Sequence, residues 1–223
     1  MNTKYGSVIF DCDGTLIDTL EDIALAMNRA LQTHDFPTLR TEEYRDKVGW
    51  GIVKTAALAL PEEARTEENS QKVGSLATRL MEEQPAEESL SRAYPGVGEL
   101  LAELQARKIK IAVLSNKVDA ALRRVMRDFF PPITFDAICG LRPGVAPKPD
   151  PAAAWEMLAE MGRNPHETIF VGDSEIDMET ALNSGCFPLG VTWGFRSRAT
   201  LEKAGAARII DVPDEIWELL GKK

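Results

Sequence analysis

Apolar positions along the chain fall into two regimes. In residues 1–15 and 91–223, short apolar runs alternate with stretches of helical period. Ser7–Phe10 predicts a strand. Tyr94-Pro95-Gly96 predicts a turn, followed by a helix that buries Val97, Leu100, Leu101 and Leu104. Ile109–Leu114 predicts a strand, and Val118, Ala121, Leu122, Val125, Met126 and Phe129 mark an amphipathic helix. Further strands are predicted at Phe135–Cys139, Thr168–Val171, Pro188–Val191 and Arg208–Ile210. Helices are predicted at Pro151–Met161, Ile176–Asn183 and Pro213–Leu220. Proline sits early in the first of these, where its missing N–H costs little.

Residues 16–90 follow a different rule, with apolar side chains at helical spacing throughout. Leu20, Ile23, Ala24, Met27 and Leu31 form one stripe. Ile52, Val53, Ala56, Ala57 and Leu60 form a second, and Val73, Leu76, Ala77, Leu80 and Met81 a third. No strand is predicted here. Asp18 is placed to cap the first helix, with Glu21 reaching back three residues on. Alternating strands and helices outside this stretch predict an α/β fold: a Rossmann-like, mostly parallel sheet with helices on both faces. A small all-helical unit, residues 16–90, is inserted after the first strand. The expected organisation is therefore residues 1–15 and 91–223 as one domain, and 16–90 as another.

Charge sharpens the division. Residues 16–90 carry 8 Lys/Arg and 15 Asp/Glu, out of 26 and 35 in the 223-residue chain. Paired glutamates at 62–63, 67–68, 82–83 and 87–88 read as solvated helix faces. The net charge of −9 argues against a nucleic-acid partner. No apolar run is long enough to cross a bilayer, and Asp11 interrupts the opening apolar segment, so neither membrane insertion nor a signal peptide is expected. A cytoplasmic monomer or homodimer is the expectation. Three cysteines without CxxC spacing predict no disulfide framework or zinc knuckle. With only His34 and His166, a Ser-His-Asp triad is poorly supplied.

The candidate chemistry lies at strand ends. The first strand runs into Asp11-Cys12-Asp13-Gly14-Thr15. Two carboxylates so close repel unless a cation or proton sits between them. Ser115-Asn116 directly follows the predicted strand Ile109–Leu114, and a hydroxyl with a backbone N–H there can hold a phosphate oxygen. Lys148 stands between Pro147 and Pro149, which stiffen its backbone. Gly172-Asp173-Ser174-Glu175-Ile176-Asp177 follows another apolar strand; Asp173 could serve as a helix cap, or with Asp11 supply the oxygen ligands Mg²⁺ requires. In a parallel sheet these segments converge on one edge, and together they suit phosphoryl transfer. No G-x-x-x-x-G-K-[ST] run is present.

In these motifs and their order the sequence resembles the haloacid dehalogenase superfamily of phosphatases, over essentially its whole length. Within it, Asp13-Gly14-Thr15-Leu16-Ile17-Asp18-Thr19, Val48-Gly49-Trp50-Gly51, Tyr94-Pro95-Gly96-Val97, Ser115-Asn116-Lys117 and Val191-Thr192-Trp193-Gly194-Phe195 look most like the phosphoglycolate phosphatase group. Trp50 departs from the smaller or polar residue of that pattern. The resemblance implies that Asp11 is the nucleophile and Asp13 the acid and base. Mg²⁺ would be held by Asp11, the Asp13 carbonyl and Asp173. Asp177 is either a further metal ligand or the partner that orients Lys148. Ser115 and the Asn116 N–H would hold phosphate oxygens, and Lys148 would neutralise charge. The helical insert would be a mobile cap whose Gly49-Trp50-Gly51 loop, with Arg45 and Lys54 as cationic partners for a substrate carboxylate, contributes to specificity. The implied substrate is a small phosphorylated metabolite, with 2-phosphoglycolate first. A sugar-phosphate phosphatase, a pyrophosphatase and a phosphomutase are the rivals within the superfamily. A mutase usually carries an apolar residue at the place of Thr15. A phosphonate hydrolase would need a Schiff-base lysine such as Lys54 and would lack Asp13. A phosphorylatable receiver-like module is the reading from a different class.

Overall fold

A computed structural model of the chain describes residues 5–221. In chain order the elements are β1 (Ser7–Phe10), β2 (Ile17–Asp18), α1 (Leu20–Thr33), α2 (Ile52–Ala59), α3 (Glu67–Glu83), β3 (Arg92–Ala93) and α4 (Val97–Ala106). There follow β4 (Lys110–Val118), α5 (Asp119–Phe129), β5 (Ala137–Leu141), α6 (Ala152–Met161), β6 (Thr168–Gly172) and α7 (Glu175–Ser184). The chain continues with β7 (Phe187–Val191), α8 (Arg198–Lys203), β8 (Arg208–Ile210) and α9 (Trp217–Leu220), and short 3₁₀ turns join several of these. Two compact units result: Met1–Ile17 with Ala93–Lys223, and Asp18–Arg92. Their boundaries lie two residues beyond those read from the sequence.

The first unit is an α/β fold. Six strands form one parallel sheet in the order β5-β4-β1-β6-β7-β8. Strands buried on both faces lose the usual apolar–polar alternation, which is why these segments read as continuous apolar runs. Val8 and Phe10 join Val113, Val171, α4 and α5 in one core. Ile9 turns the opposite way, into a second core with Leu114, Phe170 and α6. The chain builds outward from β1 to β4 and β5, then returns to lay β6, β7 and β8 on the other side. The sheet's order therefore reverses beside β1, and such a switch point opens a crevice at the strands' C-terminal ends.

Several sequence expectations need correction. β4 runs four residues past Leu114, so Ser115 and Asn116 lie within the strand; its pairing with β5 shifts register between Leu114 and Val118. The 16–90 stretch is not wholly without strands, because Ile17–Asp18 forms β2, paired with β3. Asp18 does not build the capping box expected with Glu21. Thr19 occupies the cap position of α1 without a side-chain capping bond, and Asp18 accepts from the Leu20 N–H at 3.3 Å. The strand predicted at Phe135–Cys139 begins and ends two residues later. The closing helix is split into a 3₁₀ turn, Pro213–Ile216, and the short α9. Among the described residues no helix is long and apolar enough to cross a membrane.

The second unit, Asp18–Arg92, packs α3 against α1 and α2. A buried, highly bonded carboxylate in it is Asp22 on α1, 7% exposed. Asp22 accepts from the Leu90 N–H, the Ser91 N–H, the Ser89 and Ser91 hydroxyls and the Gln84 amide, at 2.5–3.1 Å. Burial opposes the charge, but these donors outweigh it and hold the carboxyl below its ordinary range. Asp22→Asn would turn an NH₂ toward donors that have no other acceptor of that strength. A loss of about 2–4 kcal/mol is expected, read as a lower thermal midpoint. An unchanged midpoint would show that the bonds contribute nothing net.

Candidate active site

Three neighbouring strands deliver the chemistry to the C-terminal edge of the sheet. Asp11 directly follows β1, Asp173 follows β6, and Ser115, Asn116 and Lys117 occupy the irregular end of β4. The carboxylates of Asp11, Asp173 and Asp177 place oxygens within 4.8 Å of one another, all three buried. Lys148 lies among them at 4% exposure, its ammonium 2.9 Å from Asp11 Oδ1 and 2.6 Å from Asp177 Oδ1. Burial opposes its charge, yet the two carboxylates outweigh burial and raise the ammonium above its usual range.

The backbone behind Lys148 is fixed by Asn116. The Asn116 side-chain amide donates to the Lys148 carbonyl at 3.1 Å, and its Oδ1 accepts from the Lys148 N–H at 2.8 Å. The stiffening by the flanking prolines is thus joined by a side-chain clamp from β4 onto the Lys148 loop. Asp177 is fully engaged: Oδ1 meets Lys148, and Oδ2 accepts from the Ser174 N–H at 3.0 Å and the Ser174 hydroxyl at 2.6 Å. Ser174, not Asp173, is the cap of α7, so the helix-cap alternative for Asp173 is removed.

Asp173 is held by groups from two other segments of the chain. The Phe195 N–H donates to Oδ2 at 2.7 Å and the Thr15 hydroxyl to Oδ1 at 3.1 Å. Thr15 reaches Asp173 because the turn at Gly14 (φ +87°) swings the following residue toward β6. A Cβ on Gly14 would lie 2.3 Å from Asp173 Oδ2, and one on Gly194 2.3 Å from Asp173 Cβ. Only glycine fits at these two points. Trp193 Nε1 donates to the Thr15 carbonyl at 3.0 Å and ties the β7 loop to the β1 loop.

Asp13 and Lys117 form a pair that the motifs did not reveal. The Lys117 ammonium bonds both Asp13 oxygens, at 2.9 and 3.0 Å, with both side chains slightly open to solvent. Ser115 Oγ accepts from the Lys117 N–H at 3.3 Å. Lys117's position two residues past Ser115 on an extended strand, hence on the same face, is the signal that could have found it.

The residues present fit a divalent cation. Burial chiefly, and the Asp177 and Asp11 charges, push the Asp173 carboxyl up to about 8. Burial likewise raises Asp11 to about 6 against the pull of Lys148. Asp11 Oδ1 is buried without a hydrogen bond among the described residues, since Lys148 approaches it at ion-pair distance but outside hydrogen-bonding geometry. The four carboxylates of Asp11, Asp13, Asp173 and Asp177 face the two ammonium groups of Lys117 and Lys148, a formal −2 that one divalent cation would cancel. Hard oxygen donors of this kind select Mg²⁺-like ions.

Against known proteins, the model of the haloacid dehalogenase-like hydrolases matches residues 8–191. The chain belongs to that family. A phosphoglycolate phosphatase from Mannheimia succiniciproducens is 31% identical over 87% of this chain and 89% of its own. One from Haemophilus influenzae (strain 86-028NP) is 28% identical over 95% and 96%. A crystal structure of a Lactobacillus delbrueckii subsp. bulgaricus protein superposes with a TM-score of 0.89 at 29% identity, over 98% and 99% of the two chains. The chain is accordingly an enzyme of the phosphatase kind, and family members of this kind generally employ a divalent metal.

The remaining predicted residues lie in the second unit. Gly49 and Gly51 both have positive φ, +115° and +87°, and hold half-buried Trp50 between them. Arg45 and Lys54 are exposed, the first after the 3₁₀ turn Thr41–Tyr44 and the second on α2.

Proposed function

We propose that the chain is a Mg²⁺-dependent phosphomonoester hydrolase acting through an aspartyl-phosphate on Asp11, with 2-phosphoglycolate as its substrate. The observation that carries this reading is the buried cluster of Asp11, Asp173, Asp177 and Lys148 at the switch point of the sheet. The substrate assignment rests on the relatives' names and on full-length similarity to them.

Asp11 attacks phosphorus; the new P–O bond forms as the ester P–O bond breaks. Lys148 and Asp177 hold the attacking carboxylate in one orientation, so little orientational freedom is lost at reaction. Asp13 gives its proton to the departing alkoxide and then takes one from the water that cleaves the acyl phosphate. Ser115 and the Asn116 N–H hold non-transferring oxygens. Asp11, Asp173 and the Asp13 carbonyl would hold Mg²⁺, which supplies charge neutralisation between two anions. We read Asp177 as the residue that orients Lys148, since both of its oxygens are already engaged. The helical unit is read as the family's cap, with Arg45, Gly49, Trp50 and Lys54 contributing to substrate choice. Under this reading the receiver-like module is disfavoured by the acid/base residue and helical unit it has no use for.

A panel of phosphate esters with Mg²⁺, including 2-phosphoglycolate, sugar phosphates and pyrophosphate, tests the assignment. The highest kcat/KM is expected for 2-phosphoglycolate; a clear preference for another ester would replace that substrate. The raised carboxyls give a second test. The metal-free fold retains protons on Asp11 and Asp173 that its unfolded chain loses near pH 4. Their stabilisation is full below that pH and falls as pH rises through about 6 and about 8. Mg²⁺ has to displace those protons, so it is expected to raise the melting temperature more at pH 8 than at pH 6. Equal gains at both values would contradict a metal site built on these groups.

A further inference from the structure

The site contains two lysines in different situations. Lys148 is 2% exposed at its side chain and committed to two carboxylates. Lys117 is 13% exposed and, among the described residues, its ammonium meets Asp13 alone. An ammonium has three donors, and the two Asp13 oxygens engage two of them. The third remains for an acceptor that arrives from outside. Its location restricts what that acceptor can be. Asp13 is the group that must reach the leaving-group oxygen, and Lys117 lies within 3.0 Å of both its oxygens. A substituent on the alcohol that Asp13 protonates is therefore brought close to Lys117.

Resting on the phosphatase reading above, we propose that Lys117 is a specificity-determining residue. Its ammonium binds an anionic carboxylate on the alcohol portion of the substrate, so that the enzyme prefers phosphomonoesters whose leaving group bears one. This adds a discriminating cation within the α/β unit itself. It also gives the residue after Ser115-Asn116 a role separate from holding the phosphoryl oxygens. A site built to pair a substrate charge rejects the analogue lacking it strongly, because its own charge is then left partly unanswered.

The test compares 2-phosphoglycolate with ethyl phosphate, close to it in size and lacking the carboxylate, on wild-type, Lys117→Met and Lys117→Arg enzymes with Mg²⁺. Lys117→Met keeps length and removes charge. The ratio of kcat/KM for 2-phosphoglycolate over ethyl phosphate is expected to fall about tenfold or more in this variant, mainly through KM for 2-phosphoglycolate. Lys117→Arg is expected to restore a substantial part of the ratio. Loss by the same factor on both esters would overturn the proposal and leave Lys117 as a support for Asp13 alone. A wild-type enzyme equally efficient on both esters would overturn it while leaving the phosphatase reading intact. A wild-type enzyme that cleaves neither overturns both.

Discussion

Asp11→Asn is expected to abolish turnover, by about four orders of magnitude or more, while the protein remains folded. The change is nearly isosteric and removes the only group proposed to attack phosphorus. It also relieves a buried charge whose carboxyl is already raised to about 6 by burial. In the absence of metal the variant's melting temperature should therefore equal or exceed that of the wild type. Rapid-quench measurement with a ³²P-labelled ester provides the direct check. Labelled protein should accumulate transiently in the wild type and be absent in the variant. Turnover near the wild-type rate would remove Asp11 as nucleophile.

Lys148→Met has the largest expected effect on stability. The ammonium is the only cation within ion-pair distance of Asp11 and of Asp177 among the described residues. Its removal leaves two buried carboxylates facing each other. Breaking a buried ion pair from one side costs about 3–5 kcal/mol, and here two pairs break together. The physical origin has its own signature. Because the penalty arises from unpaired negative charge, part of it should be recovered by adding Asp177→Asn to Lys148→Met. Denaturant unfolding of the two single variants and the double variant gives the coupling energy. Strict additivity would show that Lys148 stabilises by packing alone. Activity is a separate outcome: the double variant should remain inactive even where its stability returns, since Asp11 would have lost its orienting partner.

The sequence made the fold legible where one rule governs the residues. Buried parallel strands such as Ser7–Phe10 and Thr168–Gly172 appear as unbroken apolar runs because helices cover both faces of the sheet. Aspartates at the ends of such runs stand out, since a charge there has no local reason to exist. What stayed hidden depends on contacts across the sheet. The Asn116 clamp on Lys148 joins residues 32 positions apart, and Thr15 reaches Asp173 across 158. Neither has a local periodicity. Lys117 was visible as a neighbour of Ser115, but its pairing with Asp13 depends on how β4 lies beside β1. The capping box expected at Asp18 failed for a related reason: that residue is drawn into β2, which moves the start of α1 past it. Arg196, 7% exposed and paired with Glu175 at 3.0 Å, likewise had no local signal, although it lies next to the Gly194-Phe195 segment that fixes Asp173.

Asp11 and Asp173, just past β1 and β6, are placed to share a single divalent ion. Anomalous diffraction from crystals soaked in Mn²⁺, as a stand-in for Mg²⁺, tests this most directly. One peak is predicted within about 2.3 Å of carboxylate oxygens from both Asp11 and Asp173. A bound ion that touches neither residue, or only one of them, would contradict it.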